Sequence, residues 1–323
     1  MLITNKEKIE NLFKELKKDF EIFDCRKDKL PFKKYFFPPV QEMFSTNKLG
    51  GEIEIKSGTH DKRFVLFGLG LCDLEALTQL DEIMREPNGD DFYFENRKKS
   101  IVIGFIKENM DVPSGGDLVL QQIGADEFEV MFGTIKGENL LKHYKDFFDD
   151  VPDREREKPQ IPTNKSLNIW SQEMKKLLLD AELLSDVVEW SWESKHKVWD
   201  ELAGKCLGCG VCTYVCPLCY CFSVEDTVGL DDKCSRCRKW DACTLPGFAK
   251  IAGGHSFRPT IKERYYNWFY HKFVRAYNEF GKSQCVGCGR CKHACPAGID
   301  IQEILKEILE DYKKTTAYKE NYE

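Results

Sequence analysis

Three things are scarce in this sequence, and each scarcity excludes something. No apolar run approaches the roughly 20 residues that a membrane-spanning helix needs, which excludes a helical span. Positive charge is in deficit: 48 Lys and Arg face 54 Asp and Glu, for a formal net charge of −6. A nucleic-acid partner held by bulk electrostatics is therefore not expected. Cysteine is almost missing from the first 205 residues, which hold only Cys25 and Cys72. The opening MLITNKEKIE also lacks the apolar core of a secretory signal, so the expected location is the cytoplasm.

The third scarcity throws the rest of the chain into relief. Of 15 cysteines in 323 residues, 13 lie beyond residue 205. An odd total in a reducing compartment argues against a disulfide framework, and crowded thiols there usually bind metal. The 42% apolar content is enough for a real core, and the length suits about two domains.

The expected fold class is α+β, with an N-terminal α/β domain followed by an α-helical ferredoxin-like domain holding two [4Fe–4S] clusters. Residues 1–150 read as the α/β scaffold. Asn5 caps a helix bearing Ile9, Leu12, Phe13 and Leu16, and Asp73–Met84 has Leu74, Leu77, Leu80 and Met84 at helical spacing. Arg63–Gly68, Ile101–Ile106, Leu118–Ile123 and Glu127–Phe132 read as strands, and Leu140–Phe148 as a closing helix. Residues 151–165, with Pro152, Pro159 and Pro162, form a linker. In residues 166–323 a helix runs from Leu167 through Trp170, Met174, Leu177, Leu178, Leu184 and Val188. Ile261–Phe280 and Ile301–Tyr312 follow as further helices, and no strand alternation is evident.

The chemistry sits in a repeat. Residues 206–217 read CLGCGVCTYVCP and residues 285–296 read CVGCGRCKHACP, identical at seven of twelve positions. Both are C-x2-C-x2-C-x3-C-P, the run that holds a [4Fe–4S] cubane in bacterial-type ferredoxins. Three thiolates at two-residue intervals wrap three corners of a cube, while Gly208, Gly210, Gly287 and Gly289 let the backbone turn closely. The fourth cysteine lies beyond that loop and in two-cluster proteins ligates the other cluster. Cluster I is thus expected on Cys206, Cys209, Cys212 and Cys295, and cluster II on Cys285, Cys288, Cys291 and Cys216. Zinc is the competing reading, but a zinc site rarely uses three thiolates so spaced plus Cys-Pro, twice over.

Five cysteines remain: Cys219, Cys221, Cys234, Cys237 and Cys243. They could supply a third [4Fe–4S] cluster or a zinc site, or be small buried side chains without metal. Gly68-Leu69-Gly70 lacks the third glycine of a dinucleotide fingerprint, and a tight strand-to-helix turn explains it as well. His255 could pair with a sulfide or a substrate anion beside Arg258, but reads rather as satisfying a buried backbone group. Arg236, Arg238, Lys239, Arg290 and Lys292 are candidates to stabilise reduced clusters or bind an acidic partner, or form a solvated face.

The segments KCLGCGVCTYVCPLCYCFSVED (205–226), RKWDAC (238–243), AGGHSFRPT (252–260) and CVGCGRCKHACP (285–296) carry a family resemblance. So, more loosely, do YFFPPVQEMF (35–44) and FGLGLCDLEAL (67–77). The chain resembles the iron–sulfur β subunit of sulfhydrogenases, NiFe hydrogenases that use NAD(P)H and also reduce sulfur. It is equally similar to the corresponding iron–sulfur subunit of the anaerobic sulfite reductases. The resemblance implies a non-catalytic electron-transfer subunit between a flavoprotein subunit (FAD, NAD(P)H) and a catalytic reductase or hydrogenase subunit. The alternative is a sulfur or disulfide reductase subunit with its own iron–sulfur site. Cys219, Cys221 and Cys243 are typical of the family, whereas Cys234 and Cys237 look like additions. Relatives carry further cysteines in the N-terminal domain; here only Cys72 remains of that set, so the cluster they would hold is not expected.

Overall fold

The computed structural model describes residues 1–49, 52–58, 62–107, 115–152, 170–229, 233–315 and 319. The chain divides into two units: residues 1–166 with 225–238, and residues 167–224 with 239–323.

The first unit is built on a seven-stranded mixed sheet. Its strands are β1 (Leu2–Asn5), β2 (Glu21–Asp24), β5 (Phe64–Leu69), β6 (Ser100–Ile106), β7 (Leu118–Gln122), β8 (Glu127–Phe132) and β9 (Asp149–Asp150), in the order β2-β5-β6-β7-β8-β1-β9. β2, β5, β6 and β7 run parallel, and the β7-β8, β8-β1 and β1-β9 pairs are antiparallel. The central parallel strands are buried on both faces, which is why RFVLFG and IVIGFI read as unbroken apolar runs. Helix α1 (Lys6–Leu16) is capped by the Asn5 side chain and lays Ile9, Leu12 and Leu16 against Val65, Phe67, Ile101 and Ile103. Leu140 of α4 (Ile135–His143) joins the same core. On β5 and β6 the alternate residues Leu66 and Val102 are buried too, and α2 (Leu71–Ile83) and α3 (Asp91–Lys99) pack on these strands.

Asp117 joins three elements of this unit. Its carboxylate accepts from the Val102 amide at 2.7 Å and from the Thr134 hydroxyl at 2.5 Å, fixing β6 and the start of α4. Gly68 (φ +86°) and Gly70 make the turn from β5 into α2, and the Arg26 side chain fills the space a Cβ at Gly68 would occupy. That packed turn accounts for the GxG.

The same unit holds a second sheet that the sequence reading missed. A hairpin of β3 (Val40–Leu49) and β4 (Glu52–Ser57) pairs from Phe44–Ser57 to Leu49–Glu52. Two further strands, β10 (Phe222–Val228) and β11 (Lys233–Trp240), complete the order β10-β11-β3-β4. The expectation of a purely helical second half is therefore corrected. FSVEDTV is mostly exposed along its length, so no inward-facing apolar series marks it as a strand.

The second unit is helical: α5 (Gln172–Leu179), α6 (Ala181–Glu193), α7 (Val198–Lys205), α8 (Val211–Tyr214), α9 (Ile261–Phe269), α10 (Ala276–Phe280), α11 (Arg290–Ala294) and α12 (Ile301–Tyr312). The single helix expected from Leu167 is split, because Asp180 turns its carboxylate to the Leu183 amide at 3.2 Å and starts α6 afresh. Residues 167–169 and most of the expected linker, 153–165, lie outside the described residues. The stretch read as Leu140–Phe148 ends at His143 and continues as a 3-10 turn. α9 and α10 form one rod through a π-helical turn, Tyr270–Arg275, whose Phe273 and Val274 are buried and which packs against α6. Trp192 stacks on Tyr266 at 4.2 Å, and Trp199 meets Phe269 edge-on at 5.1 Å, so these tryptophans serve as apolar cover.

A Cβ at Gly137 would stand 1.8 Å from the Asp117 carbonyl oxygen. Gly137→Ala should destabilise the first unit by about 1–3 kcal/mol, since backbone must move. Hydrogen exchange on the full chain would register this as faster opening of β7 and α4, with the second unit unchanged.

Candidate metal centre

The two cysteine repeats fold alike. In the first, Cys206 ends α7, its amide donating to the Leu202 carbonyl at 2.8 Å. Gly208 and Gly210 then take left-handed φ values of +62° and +75°, and α8 starts immediately after Gly210 and carries Cys212. In the second, Gly287 and Gly289 take +64° and +71°, and α11 starts after Gly289 and carries Cys291. Left-handed turns of this kind aim successive amides inward, and the Gly208 amide donates to Cys206 Sγ at 3.4 Å.

The thiols gather in two groups of four. Cys206, Cys209, Cys212 and Cys295 line one cavity with Thr244, Tyr265 and Trp268, and Cys291 lines it too. Cys216, Cys285, Cys288 and Cys291 line a second with Trp170, Trp268 and Lys272. Each group thus takes three thiols from one repeat and the fourth from the other. Among the described residues no three His, Cys, Asp or Glu side chains converge closely enough to share a single metal ion. Four thiols lining one cavity are the donor set a cubane takes, one at each iron corner.

The linings fit such a group in a further way. Among the described residues, the indole N–H of Trp268 and the hydroxyl of Thr244 are buried with no hydrogen-bond partner. Buried donors are nearly always satisfied, and cluster sulfides and thiolates are acceptors that these side chains could reach. Burial also pushes the Cys212 thiol up to about 12 and Cys285 to about 11, with Cys291 and Cys206 raised as well. Such thiols keep their protons until a bound cation displaces them.

The sequence reading overlooked Lys272. It sits in the π turn, 3% exposed, with its ammonium donating to Cys216 Sγ at 3.1 Å and to the Gln284 carbonyl at 3.2 Å. Burial opposes its charge, but Cys216, Cys219, Cys285 and Cys291 outweigh that and hold it well above the usual lysine range. Its neighbours Trp268, Phe269 and Phe273 are apolar, but the sequence alone does not say that Lys272 shares their buried side. Of the five cations proposed from sequence, three are held by other partners. Arg236 pairs with Asp226 at 2.7 Å. Arg238 is buried, donates to Gln41 at 2.8 Å, pairs with Asp90 and stacks on Phe37. Lys292 is tied to Asp300 at 2.6 Å.

The five further cysteines divide between the units. Cys219, Cys221 and Cys243 line a cavity of the second unit, whereas Cys234 and Cys237 are on β11, in the stretch assigned to the first. His255 is exposed rather than buried, its ring edge-on to Phe257 at 5.1 Å, which corrects its expected role. Arg264 holds the neighbouring loop: its guanidinium donates to the carbonyls of Thr244 (3.1 Å), Arg258 (3.0 Å) and Pro259 (2.6 Å).

Residues 205–299 match a family model described as a 4Fe-4S dicluster domain. The chain is 33% identical over 292 residues to sulfhydrogenase 2 subunit beta of Pyrococcus furiosus, a match that covers 87% of this chain and 83% of that one. No solved structure matches it.

Arg264→Ala should strand those three carbonyls and cost about 2–3 kcal/mol of stability in the second unit. Denaturant unfolding of the full chain would measure this, and cleavage within residues 244–260 by a protease should accelerate. Unchanged stability and cleavage would remove Arg264 from the loop's support.

Proposed function

The chain belongs to the family of sulfhydrogenase β subunits, and from that premise we propose that it relays single electrons through two [4Fe–4S] clusters. Its general role is that of an iron–sulfur electron-transfer subunit in a hydrogenase-like complex. The finer reading assigns cluster I to Cys206, Cys209, Cys212 and Cys295, and cluster II to Cys216, Cys285, Cys288 and Cys291. A flavoprotein oxidising NAD(P)H would supply the electrons, and a catalytic hydrogenase or sulfite-reductase-type subunit would receive them. The observation that carries this reading is that Cys206, Cys209, Cys212 and Cys295 line one cavity and Cys216, Cys285, Cys288 and Cys291 another, with Cys291 and Trp268 lining both. No helix among the described residues is long and apolar enough to cross a membrane, and the proposed location is the cytoplasm.

Bound clusters supply one-electron chemistry; the protein supplies position and electrostatics. The positive-φ glycines bring backbone amides close to the thiolates, and aromatic walls keep water out. Lys272 places a fixed positive charge beside Cys216, favouring the electron-rich state of the group held there. Trp268 lines both cavities and can donate its indole N–H to only one of them.

Cys216→Ser tests the exchange of ligands between repeats. Measured as iron, acid-labile sulfide and zinc on protein purified without oxygen, the wild type should hold about eight irons or more, four to each cubane. The variant should lose or alter the electron paramagnetic resonance signal of the cluster on Cys285, Cys288 and Cys291 while sparing the other. Selective damage to the Cys206 cluster would overturn the assignment, and zinc without iron would overturn the function. Lys272→Met should lower the reduction potential of the same cluster by on the order of 50–100 mV, as expected for losing a nearby charge at an effective dielectric near 20. A spectroscopically monitored redox titration would read the shift.

A further inference from the structure

We propose that Cys219, Cys221 and Cys243 bind a third iron–sulfur cluster, one iron of which has no cysteine ligand. The proposal rests on the two-cluster reading above. The three thiols come from separate segments, the CPLCYC run and the end of RKWDAC, yet they line one cavity of about 290 Å3. Cys219 and Cys243 are 8% and 2% exposed, and Cys221 lies close enough to Cys243 for their thiols to hydrogen-bond. The Asp241 amide donates to the Cys221 carbonyl at 2.9 Å, fastening the two segments together. Cysteines serving only as small apolar side chains would be packed against neighbours; these border a space.

The rest of the lining suits a buried anionic group. Lys272 and Arg275 contribute two cations, and His271 lies on the same wall. A cluster held by three thiolates is anionic, and a buried anion needs compensating charge. Among the described lining residues, His271 is the remaining side chain of a type that commonly ligates iron, so the iron without a cysteine is assigned to its side. Lys272 and Trp268 line this cavity and that of Cys216 and Cys285 alike, so one layer of side chains separates the two. A third cluster would thus extend the electron path beyond cluster II. Cys234 and Cys237, on β11 in the other unit, are left out of it.

The test compares full-length wild type with the Cys219→Ser/Cys221→Ser/Cys243→Ser variant, both purified without oxygen and assayed for iron, sulfide and zinc. The expected result is about 12 irons in the wild type falling to about 8 in the variant, with the signals of clusters I and II retained. About 8 in both would overturn the third cluster and leave the two-cluster reading standing. Zinc in the wild type that is lost in the variant would replace the proposed cluster with a zinc site. No iron in either protein would sink both readings together. Should the variant fail to fold, the wild-type count alone decides between about 12 and about 8.

Discussion

A charge buried among aromatic side chains has to be balanced, and in the second unit that balance falls on Lys272. Its ammonium is nearly inaccessible, bonded to Cys216 Sγ and to the Gln284 carbonyl, and the rod that carries it is largely aromatic. An uncompensated lysine there would shed its proton or unfold the site. The sulfurs of a bound anionic group would make the position tenable, and the lysine would make that group tenable in return. The local backbone serves the same end. Tyr270–Arg275 forms a π turn, an irregularity that recurs at functional sites because it re-aims side chains within a helix.

The near-identity of the two repeats acquires structural meaning through their crossing. Each forms the same turn, two left-handed glycines followed by a short helix, and so presents three thiols to one side. The fourth cysteine lies past that helix and faces the cavity of the other repeat. Neither repeat can therefore complete its site alone. In the two-cluster reading proposed above, folding of the unit would complete both thiol groups together, and metal binding would be coupled to stability.

Much of this was legible in the sequence, and the reasons differ by element. The buried parallel strands and α1 were visible because burial on both faces, or on one helical stripe, leaves a strong apolar signature. The repeat was visible because its chemistry tolerates few spacings. The β10–β11 ribbon was not, since β10 is polar and mostly exposed, β11 is polar, and the strand β11 pairs with, β3, lies far away in sequence. The break at Asp180 was hidden because a capping aspartate resembles any other polar residue on a helix surface until its partner amide is known. Lys272 was missed for a related reason: a lone lysine in an amphipathic pattern reads as solvated, and only the fold reveals which face it occupies.

The separation of the repeats, 285 − 206 = 79 residues, is the feature these observations explain together. A compact pair of cluster loops needs much less chain between them. Here the intervening segment makes the ribbon that joins the second sheet of the first unit, so the chain leaves the helical unit after Val224 and re-enters at Lys239. On its return it delivers Cys243, the loop held by Arg264, and then the rod that carries Trp268, His271 and Lys272. Trp268 lines all three thiol cavities, and Lys272 lines the two in which it can compensate charge. The long insertion thus builds the shared wall of the cavities. A shorter connection could close the two cluster loops, but it would bring neither the compensating cation nor the third group of thiols.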